Sequence, residues 1–261
     1  MKKLYVVGNR SSKSLSPIIF NYWFKKYNID ARYSYLELTT KNFHKKIKEV
    51  LENKDTLGLN ITIPFKRKII KHLSKLNQHA KKIGAVNCVI NKRNVTGTNT
   101  DWTGYYKTLP KIKKTHDKKI IILGYGGASH AIHYVLKKKG FREILIFNRT
   151  RIKIKYSIKN EYTKTFKSLY KYLSGSFLII NTTPINPISK KHLSLIDKST
   201  IISDIVYSPK KTVFLNHFPQ NKKIYGISML IEQAKPCFKM WFGFNPVTDK
   251  KFLNFIYKKI Q

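Results

Sequence analysis

The chain has 261 residues, of which 42% are hydrophobic, so the composition excludes a disordered protein and allows one large domain or two smaller ones. It carries 52 Lys and Arg against 13 Asp and Glu, a formal net charge of +39, and no apolar run approaches the roughly 20 residues of a membrane helix. Two cysteines far apart, with no secretory signal, predict a reduced cytoplasmic protein without disulfides.

The large positive charge has two interpretations. One is nucleic-acid binding. The other is a lysine-biased composition, because lysine greatly outnumbers arginine, is spread along the whole chain, and forms no basic tail or base-reading motif. The pattern favours the second, so we expect no nucleic-acid partner and no membrane, and keep a basic nucleic-acid-binding module as a distant alternative. A field of this size is still expected to attract anionic small molecules.

Short apolar runs alternate with helical patterns, which predicts an α/β fold with a mostly parallel sheet. The polar stretch Pro110–Lys119 precedes a fresh strand–glycine–helix unit and is the predicted domain crossing. Strands are predicted at Leu4–Val7, Tyr33–Leu38, Leu57–Ile61, Val86–Ile90, Lys119–Leu123, Glu143–Phe147, Phe177–Asn181, Thr200–Asp204 and Lys223–Tyr225. Helices are predicted at Pro17–Tyr27, Phe43–Leu51, Ala128–Lys138, Met229–Phe242 and Lys250–Ile260.

Two serines precede the first predicted helix. Pro17 suits the first helical position, and Ser16 suits the N-cap. The hydroxyls of Ser14 and Ser16 at the positive end of a helix would also make an anion site the size of a carboxylate. Taken alone, these residues favour the cap over the anion site.

Polar side chains collect at the end of the third predicted strand. Asn60 and Thr62 share one face of this strand, and Pro64 ends it. Lys66 then lies at the carboxyl edge of the sheet, where open α/β sheets bind ligands. Together with Asp101 it forms a candidate acid/base pair. The alternative is a set of turn residues, since Asn and Asp are common in turns.

A buried-strand pattern at Lys119–Leu123 runs into a glycine-rich turn and then a helix. In a dinucleotide-binding Rossmann unit, Gly124 would permit the tight turn and Gly126 would let the backbone approach a pyrophosphate. Ala128 would allow close helix packing, and the helix N-terminus would face the phosphates. A glycine turn alone is a weak signal, and a plain strand–helix turn is the alternative.

The next strand ends in a cationic run where an NAD site would usually place a carboxylate for the ribose 2′-hydroxyl. Asn148, Thr150 and three cations stand there instead, and two of these, Arg149 and Arg151, belong to a residue type that is scarce in this chain. This chemistry suits a 2′-phosphate. The sequence therefore predicts NADP in preference to NAD.

Taken together, the ordered motifs resemble the shikimate dehydrogenase family over essentially the whole chain. Any one motif alone would be weak. The matching elements are Ser14–Pro17, Asn60–Lys66, Ala85–Asn87, Asn99–Asp101, the glycine loop, Asn148–Thr150, Asn181–Pro184, Asp204–Pro209 and Gly226–Gln233.

The resemblance implies two domains, a discontinuous substrate-binding and catalytic domain (residues 1–101 and 228–261) and an NADP-binding Rossmann domain (residues 102–227). It implies that Lys66 and Asp101 are catalytic and that no metal is needed. Substrate contacts are implied for Ser14, Ser16, Thr62, Asn87, Asp101, Tyr207 and Gln233. Cofactor contacts are implied for Gly124, Tyr125, Gly126, Gly127, Ala128, Asn148, Arg149, Thr150, Arg151, Lys153, Thr182, Ile205 and Gly226.

The activity that this resemblance implies is reversible, NADPH-dependent reduction of 3-dehydroshikimate to shikimate by a monomer or homodimer, on the route to chorismate and the aromatic amino acids. A quinate/shikimate or aminoshikimate dehydrogenase of the same fold is the alternative, and a catalytically inactive binding protein is a further one. Three residues depart from the family pattern. Lys13 stands where a histidine is common. Trp102 replaces a usual glycine and would be costly at a positive φ, and Tyr125 replaces a usual alanine.

Overall fold

A computed structural model describes residues 1–112, 115–154 and 161–260 and divides the chain into two units. The first contains Met1–Asp101 and Ile231–Lys259, and the second contains Trp102–Leu230 and the chain end from Ile260. The chain leaves the first unit after Asp101, before the polar stretch 110–119 where the crossing was predicted. That stretch includes residues 113 and 114, which lie outside the described part of the chain.

The first unit contains a mixed sheet with the strand order β2-β1-β3-β5-β6-β4. Strand β1 runs parallel to β2 and β3, whereas β5 runs antiparallel to β3 and β6. The reversal brings the start of β5 beside the end of β3. The strands are β1 (Lys2–Gly8), β2 (Ala31–Glu37), β3 (Thr56–Ile61), β4 (Lys75–Leu76), β5 (Cys88–Asn91) and β6 (Val95–Thr98).

Aromatic side chains join the two sequence segments of the first unit. The first helix buries Phe20, Trp23 and Phe24, which recur at helical spacing. Phe20 stacks on Tyr33 with ring centroids 4.5 Å apart, and Trp23 stacks on Phe252 at 5.3 Å. The C-terminal segment is therefore part of this core. The helices are α1 (Ser16–Lys26), α2 (Phe43–Glu52), α3 (Gln78–Ile83) and α8 (Lys250–Tyr257).

The second unit contains a parallel sheet with the strand order β12-β11-β10-β7-β8-β9. Both faces of the strand Lys119–Leu123 are buried. Ile120 and Ile122 pack in one hydrophobic cluster, and Ile121 and Leu123 pack in another. The strands are β7 (Lys119–Leu123), β8 (Ile144–Asn148), β9 (Lys164–Thr165), β10 (Ser176–Asn181), β11 (Ile201–Asp204) and β12 (Lys223–Tyr225). The remaining helices are α4 (Asp101–Thr108), α5 (Gly127–Lys138), α6 (Val213–Asn216) and α7 (Gly226–Phe242), of which α4 and α7 connect the two units in sequence.

The predicted α/β class and mostly parallel pairing are confirmed. All nine predicted strands are present, while the short strands β4, β6 and β9 and the helices α3, α4 and α6 were not predicted. The predicted N-cap role of Ser16 is wrong, because α1 already includes Ser16 and its N-cap is Leu15. Across the described ranges, no helix is both long enough and apolar enough to cross a membrane.

Candidate active site

Lys66 and Asp101 form an ion pair in the first unit. Lys66 lies in the turn after β3, and its Nζ donates to Asp101 Oδ2 at 2.5 Å. The two side chains are only 12% and 8% exposed. The neighbouring Phe65 is fully buried and stacks on Phe43 at 4.2 Å, which anchors the turn that carries the lysine. A charged pair with little solvent contact is screened weakly, so the carboxylate can orient the ammonium.

Asp101 is the first residue of α4, where the helix dipole favours a carboxylate. Its backbone N–H donates to Asn99 Oδ1 at 3.0 Å. Trp102 follows within the helix, and the only non-glycine residue with positive φ in the described chain is Asn28. The cost that a positive φ would impose on Trp102 therefore does not arise. The indole packs against Tyr134 and lies under the Lys138 amine.

Asn87 connects the ion pair to other predicted substrate residues. Its Nδ2 lies 2.8 Å from Asp101 Oδ1, 2.9 Å from Thr100 Oγ1 and 3.1 Å from Gln233 Oε1. Its Oδ1 accepts the Thr100 backbone N–H at 2.6 Å. The Asn87, Thr100, Asp101 and Gln233 side chains are all buried. Asn87, Asp101 and Gln233 were predicted to contact substrate, whereas Thr100 was not, although it lies inside the Asn99–Asp101 motif.

A second set of buried groups supports this cluster from the side of Asn60. Tyr33 OH donates to Asn60 Oδ1 at 2.6 Å, and Asn60 Nδ2 donates to the Asn87 carbonyl at 3.0 Å. Asn60 Nδ2 also lies 3.2 Å from Cys237 Sγ. The sequence contained no signal for Tyr33 or Cys237, because both reach the cluster only through tertiary folding.

Ser14 and Ser16 lie next to each other at the start of α1. Ser14 Oγ accepts the Ser16 backbone N–H at 3.2 Å and donates to Ser16 Oγ at 3.1 Å. Ser14 thus provides the helix-end contact that was predicted for Ser16. Thr62 follows the last residue of β3, and its backbone N–H donates to the Val7 carbonyl. Ser14, Ser16 and Thr62 all belong to the first unit, which carries the ion pair.

Tyr207 belongs to the second unit, in the loop after β11. Asp204 organises this loop by accepting the Val206 backbone N–H at 3.0 Å and the Thr212 hydroxyl at 2.6 Å. Burial raises the pKa of the Asp204 carboxyl, while these hydrogen bonds act to lower it. Tyr207 is therefore held on an ordered segment, and its predicted contact with substrate remains a prediction.

The glycine turn after β7 has the geometry of a phosphate-binding loop. Gly124 has φ +97°, and an added Cβ would lie 2.6 Å from Thr182 Oγ1. Gly126 caps α5 in an extended conformation without a side-chain cap, and a Cβ there would meet open space. Open space beside Gly126 and a helix start without a side-chain cap together fit a pyrophosphate. The Tyr125 ring packs on His130 with centroids 4.4 Å apart, while Gly127 and Ala128 begin α5.

The cationic run follows β8, whose last residue is Asn148. Arg149, Thr150, Arg151 and Lys153 are all exposed. The Arg151 guanidinium lies over the Tyr162 ring at 4.9 Å, and none of the ion pairs recorded for the described residues includes these cations. Unneutralised arginines at the end of the second Rossmann strand fit the 2′-phosphate of NADP.

Three further predicted cofactor residues line the carboxyl ends of the parallel strands. Thr182 donates from Oγ1 and from its backbone N–H to the Leu123 carbonyl, at 2.7 and 2.8 Å. The Ile205 N–H donates to the Asn181 carbonyl at 3.1 Å. Gly226 packs so closely on Ile205 that any side chain would collide with its carbonyl. These positions belong to the edge where α/β sheets bind nucleotides.

In the described part of the chain, no group of three or more His, Cys, Asp and Glu side chains could hold a metal ion. The Rossmann sheet of the second unit and the proton-carrying pair of the first are typical of a dehydrogenase that uses a nicotinamide dinucleotide.

Comparison with known proteins specifies the family. Residues 6–89 match the shikimate dehydrogenase substrate binding domain, and residues 107–205 match the shikimate / quinate 5-dehydrogenase family. A shikimate dehydrogenase (NADP(+)) from Staphylococcus haemolyticus is 36% identical over 94% of both chains. The chain therefore belongs to the shikimate dehydrogenase family.

Solved structures agree with this assignment. Shikimate dehydrogenase from Aquifex aeolicus matches with a TM-score of 0.85 and 30% identity, covering 98% of this chain and 97% of that one. A shikimate dehydrogenase in complex with NADP+ matches with a TM-score of 0.83 and 26% identity, covering 100% of this chain and 96% of the other.

Proposed function

We propose that the protein is an NADPH-dependent shikimate dehydrogenase, which reversibly reduces the ketone of 3-dehydroshikimate to the alcohol of shikimate. The product would feed chorismate and aromatic amino acid synthesis. The observation that carries the proposal is the Lys66–Asp101 pair at 2.5 Å, set among buried amides in a member of this family.

When bound, NADPH would supply the hydride for this reduction. As the ketone oxygen gains negative charge it needs a proton, and the Lys66 ammonium is the nearby acid. Positioned acid–base catalysis contributes about 10²–10⁴-fold to such a step. Asp101 holds the ammonium and offers its other oxygen to a substrate hydroxyl. In the reverse direction, neutral Lys66 would accept the proton from the alcohol.

The remaining predicted residues bind and orient the substrate in this proposal. Ser14 and Ser16 would donate to its carboxylate, aided by the N-terminal dipole of α1. Asn87 and Gln233 are supported in a ring-binding role by their shared hydrogen bonds with the Asp101 cluster. Thr62 and Tyr207 would add hydroxyl contacts.

NADP is the proposed cofactor. The relative from Staphylococcus haemolyticus is named for NADP(+), and one matching structure is a complex with NADP+. In this chain the pyrophosphate would lie at Gly124–Ala128, and the 2′-phosphate would pair with Arg149 and Arg151. Thr182, Ile205 and Gly226 would line the nicotinamide side.

The proposed partner is a small-molecule substrate alone. We propose that the protein acts as a monomer or homodimer in the cytoplasm and binds neither nucleic acid nor membrane, because its charge is spread along the chain without a basic tail.

A direct assay follows NADPH absorbance after addition of 3-dehydroshikimate, with parallel reactions containing 3-dehydroquinate or NADH. We expect rapid NADPH oxidation with 3-dehydroshikimate and slower reactions with the other pairs. The quinate arm is included because one matching family model covers quinate enzymes. Absence of turnover with every pair would exclude the enzymatic function, and equal rates with 3-dehydroquinate would favour a dual-specificity enzyme.

A further inference from the structure

The two cysteines of the chain, Cys88 and Cys237, meet behind the Asn87 cluster although 149 positions separate them in sequence. Both side chains are fully buried. Burial raises the pKa of the Cys88 thiol, and its hydrogen bond with Cys237 raises it further. Structural thiols that are fully buried are chemically inert, so reactivity is not their role here.

Cys237 differs from Cys88 in the groups that it touches. Its Sγ lies 3.2 Å from both Asn60 Nδ2 and Thr100 Oγ1. An amide NH₂ can only donate, so Cys237 Sγ accepts from Asn60. The orientation of the Asn60 amide is fixed by Tyr33, whose OH donates to Asn60 Oδ1. The thiol proton of Cys237 must then point elsewhere.

Three acceptors face that proton, the Gln233 carbonyl at 3.4 Å, Thr100 Oγ1 at 3.2 Å and the Cys88 thiol. The Gln233 carbonyl lies inside α7, where it accepts the backbone N–H four residues later. Thr100 Oγ1 is the nearer of the two oxygens to the sulfur. The Thr100 hydroxyl in turn lies within hydrogen-bond distance of Asn87 Oδ1 at 3.2 Å and of Gln233 Oε1 at 3.3 Å, so its position bears on both side chains.

We infer that Cys237 is a positioning residue, whose thiol orients the Thr100 hydroxyl and through it the Gln233 carboxamide. The chain of polar contacts runs from Tyr33 through Asn60, Cys237 and Thr100 to Gln233. Gln233 Oε1 accepts from Thr100 and from Asn87, so the plane of its amide is set before substrate arrives. Preorganised polar groups lose less freedom on binding, which lowers the KM of the substrate that they contact.

The first test is kinetic and rests on the proposed shikimate dehydrogenase activity. Cys237→Ala should raise the KM for 3-dehydroshikimate about five- to tenfold, the effect of one lost hydrogen bond, with the KM for NADPH unchanged. Cys237→Ser keeps a donor and an acceptor and should recover most of the loss. Cys88→Ala deletes the same atom from an equally buried site and should leave the KM for 3-dehydroshikimate at the wild-type value.

A KM in Cys237→Ala equal to that in Cys88→Ala would overturn the inference, since both variants carry the same loss of volume. An equal rise in the KM for 3-dehydroshikimate in both variants would also overturn the inference. Thermal unfolding of each variant shows that the comparison is made on folded protein.

The second test needs no activity, so it separates this inference from the proposed function. Each single Cys→Ala variant keeps one thiol, whose S–H stretching band can be read by infrared spectroscopy. In Cys88→Ala we expect the band of a hydrogen-bonded thiol, shifted when shikimate is added. A free-thiol band from Cys237 would contradict the hydrogen-bond chain even if the wild type proved inactive on 3-dehydroshikimate.

Discussion

Lys66 acquires its chemical importance from its surroundings. The chain carries 52 Lys and Arg residues, most of them solvated, whereas Lys66 is 12% exposed and 2.5 Å from a carboxylate. Asp101 is in turn held by Asn87 and by its own place at the start of α4. An ammonium with a fixed direction can deliver a proton to one oxygen, which a mobile surface lysine cannot do efficiently.

Sequence could identify residues whose chemistry follows from local motif, but not those that act through tertiary contact. Lys66, Asn87, Asp101 and Gln233 stood in recognisable motifs, and the structure joins them in one hydrogen-bonded cluster. Tyr33 and Cys237 had no such signal. Each reaches Asn60 only after distant strands and helices have packed.

The cofactor prediction is testable at single arginines. Arg149→Ala and Arg151→Ala should each raise the KM for NADPH about 10- to 100-fold, the effect of losing a charge-assisted hydrogen bond, with the KM for NADH nearly unchanged. Steady-state kinetics with both nucleotides measure this. Arg142→Ala is the matched control, because Arg142 is also exposed but precedes β8 instead of following it. Equal losses with NADPH and NADH would remove these arginines from 2′-phosphate recognition.

Strands were easier to predict than helix ends and short elements. The predicted ranges of β7 and β12 coincide with those of the structure. For β7 the reason is that a buried parallel strand is a continuous apolar run. Strands β4 and β9 have two residues each, too few to show a period. Helix α4 begins at Asp101 and was not predicted, because the Asn99–Asp101 motif is also typical of a turn. Ser16 lies inside α1 because the Ser14 hydroxyl already satisfies its N–H.

Helix α5 contains a titrating group that should make the second unit sensitive to acid. Burial, with smaller effects of Lys137 and His130 and an opposing one from Glu161, lowers the pKa of His133 from 6.5 to about 4. Between these pH values the unfolded chain binds a proton at His133 and the folded chain does not. Stability should therefore fall as pH is lowered from 6.5 to 4.

His133→Gln should flatten this part of the stability profile, by at most about 3 kcal/mol across the window. Urea unfolding at several pH values between these limits measures the effect. His116→Gln serves as control, since His116 is exposed in the same unit. If the acid slope of His133→Gln equalled that of the wild type, the buried neutral state of His133 would be contradicted.

The whole molecule carries a charge of +39 with only 13 acidic residues to offset it. Self-repulsion of this kind destabilises a folded chain, and salt screens it. We therefore expect the Tm to rise between about 10 and 150 mM NaCl, where the Debye length falls from about 30 to 8 Å. Thermal unfolding followed by circular dichroism gives the result, with sucrose as an uncharged control. A Tm that fell with NaCl would mean that ion pairs outweigh repulsion.

The central claim is that Lys66 protonates the reduced ketone in an NADPH-dependent reaction, and the turnover of Lys66→Ala tests it most directly. The account predicts a kcat for 3-dehydroshikimate reduction that is about 10²–10⁴-fold below wild type. NADPH binding and the folded state should persist, and Lys68→Ala, two residues further along in the 3-10 helix Lys68–His72, should keep wild-type turnover. A Lys66→Ala enzyme with unchanged kcat would contradict the account.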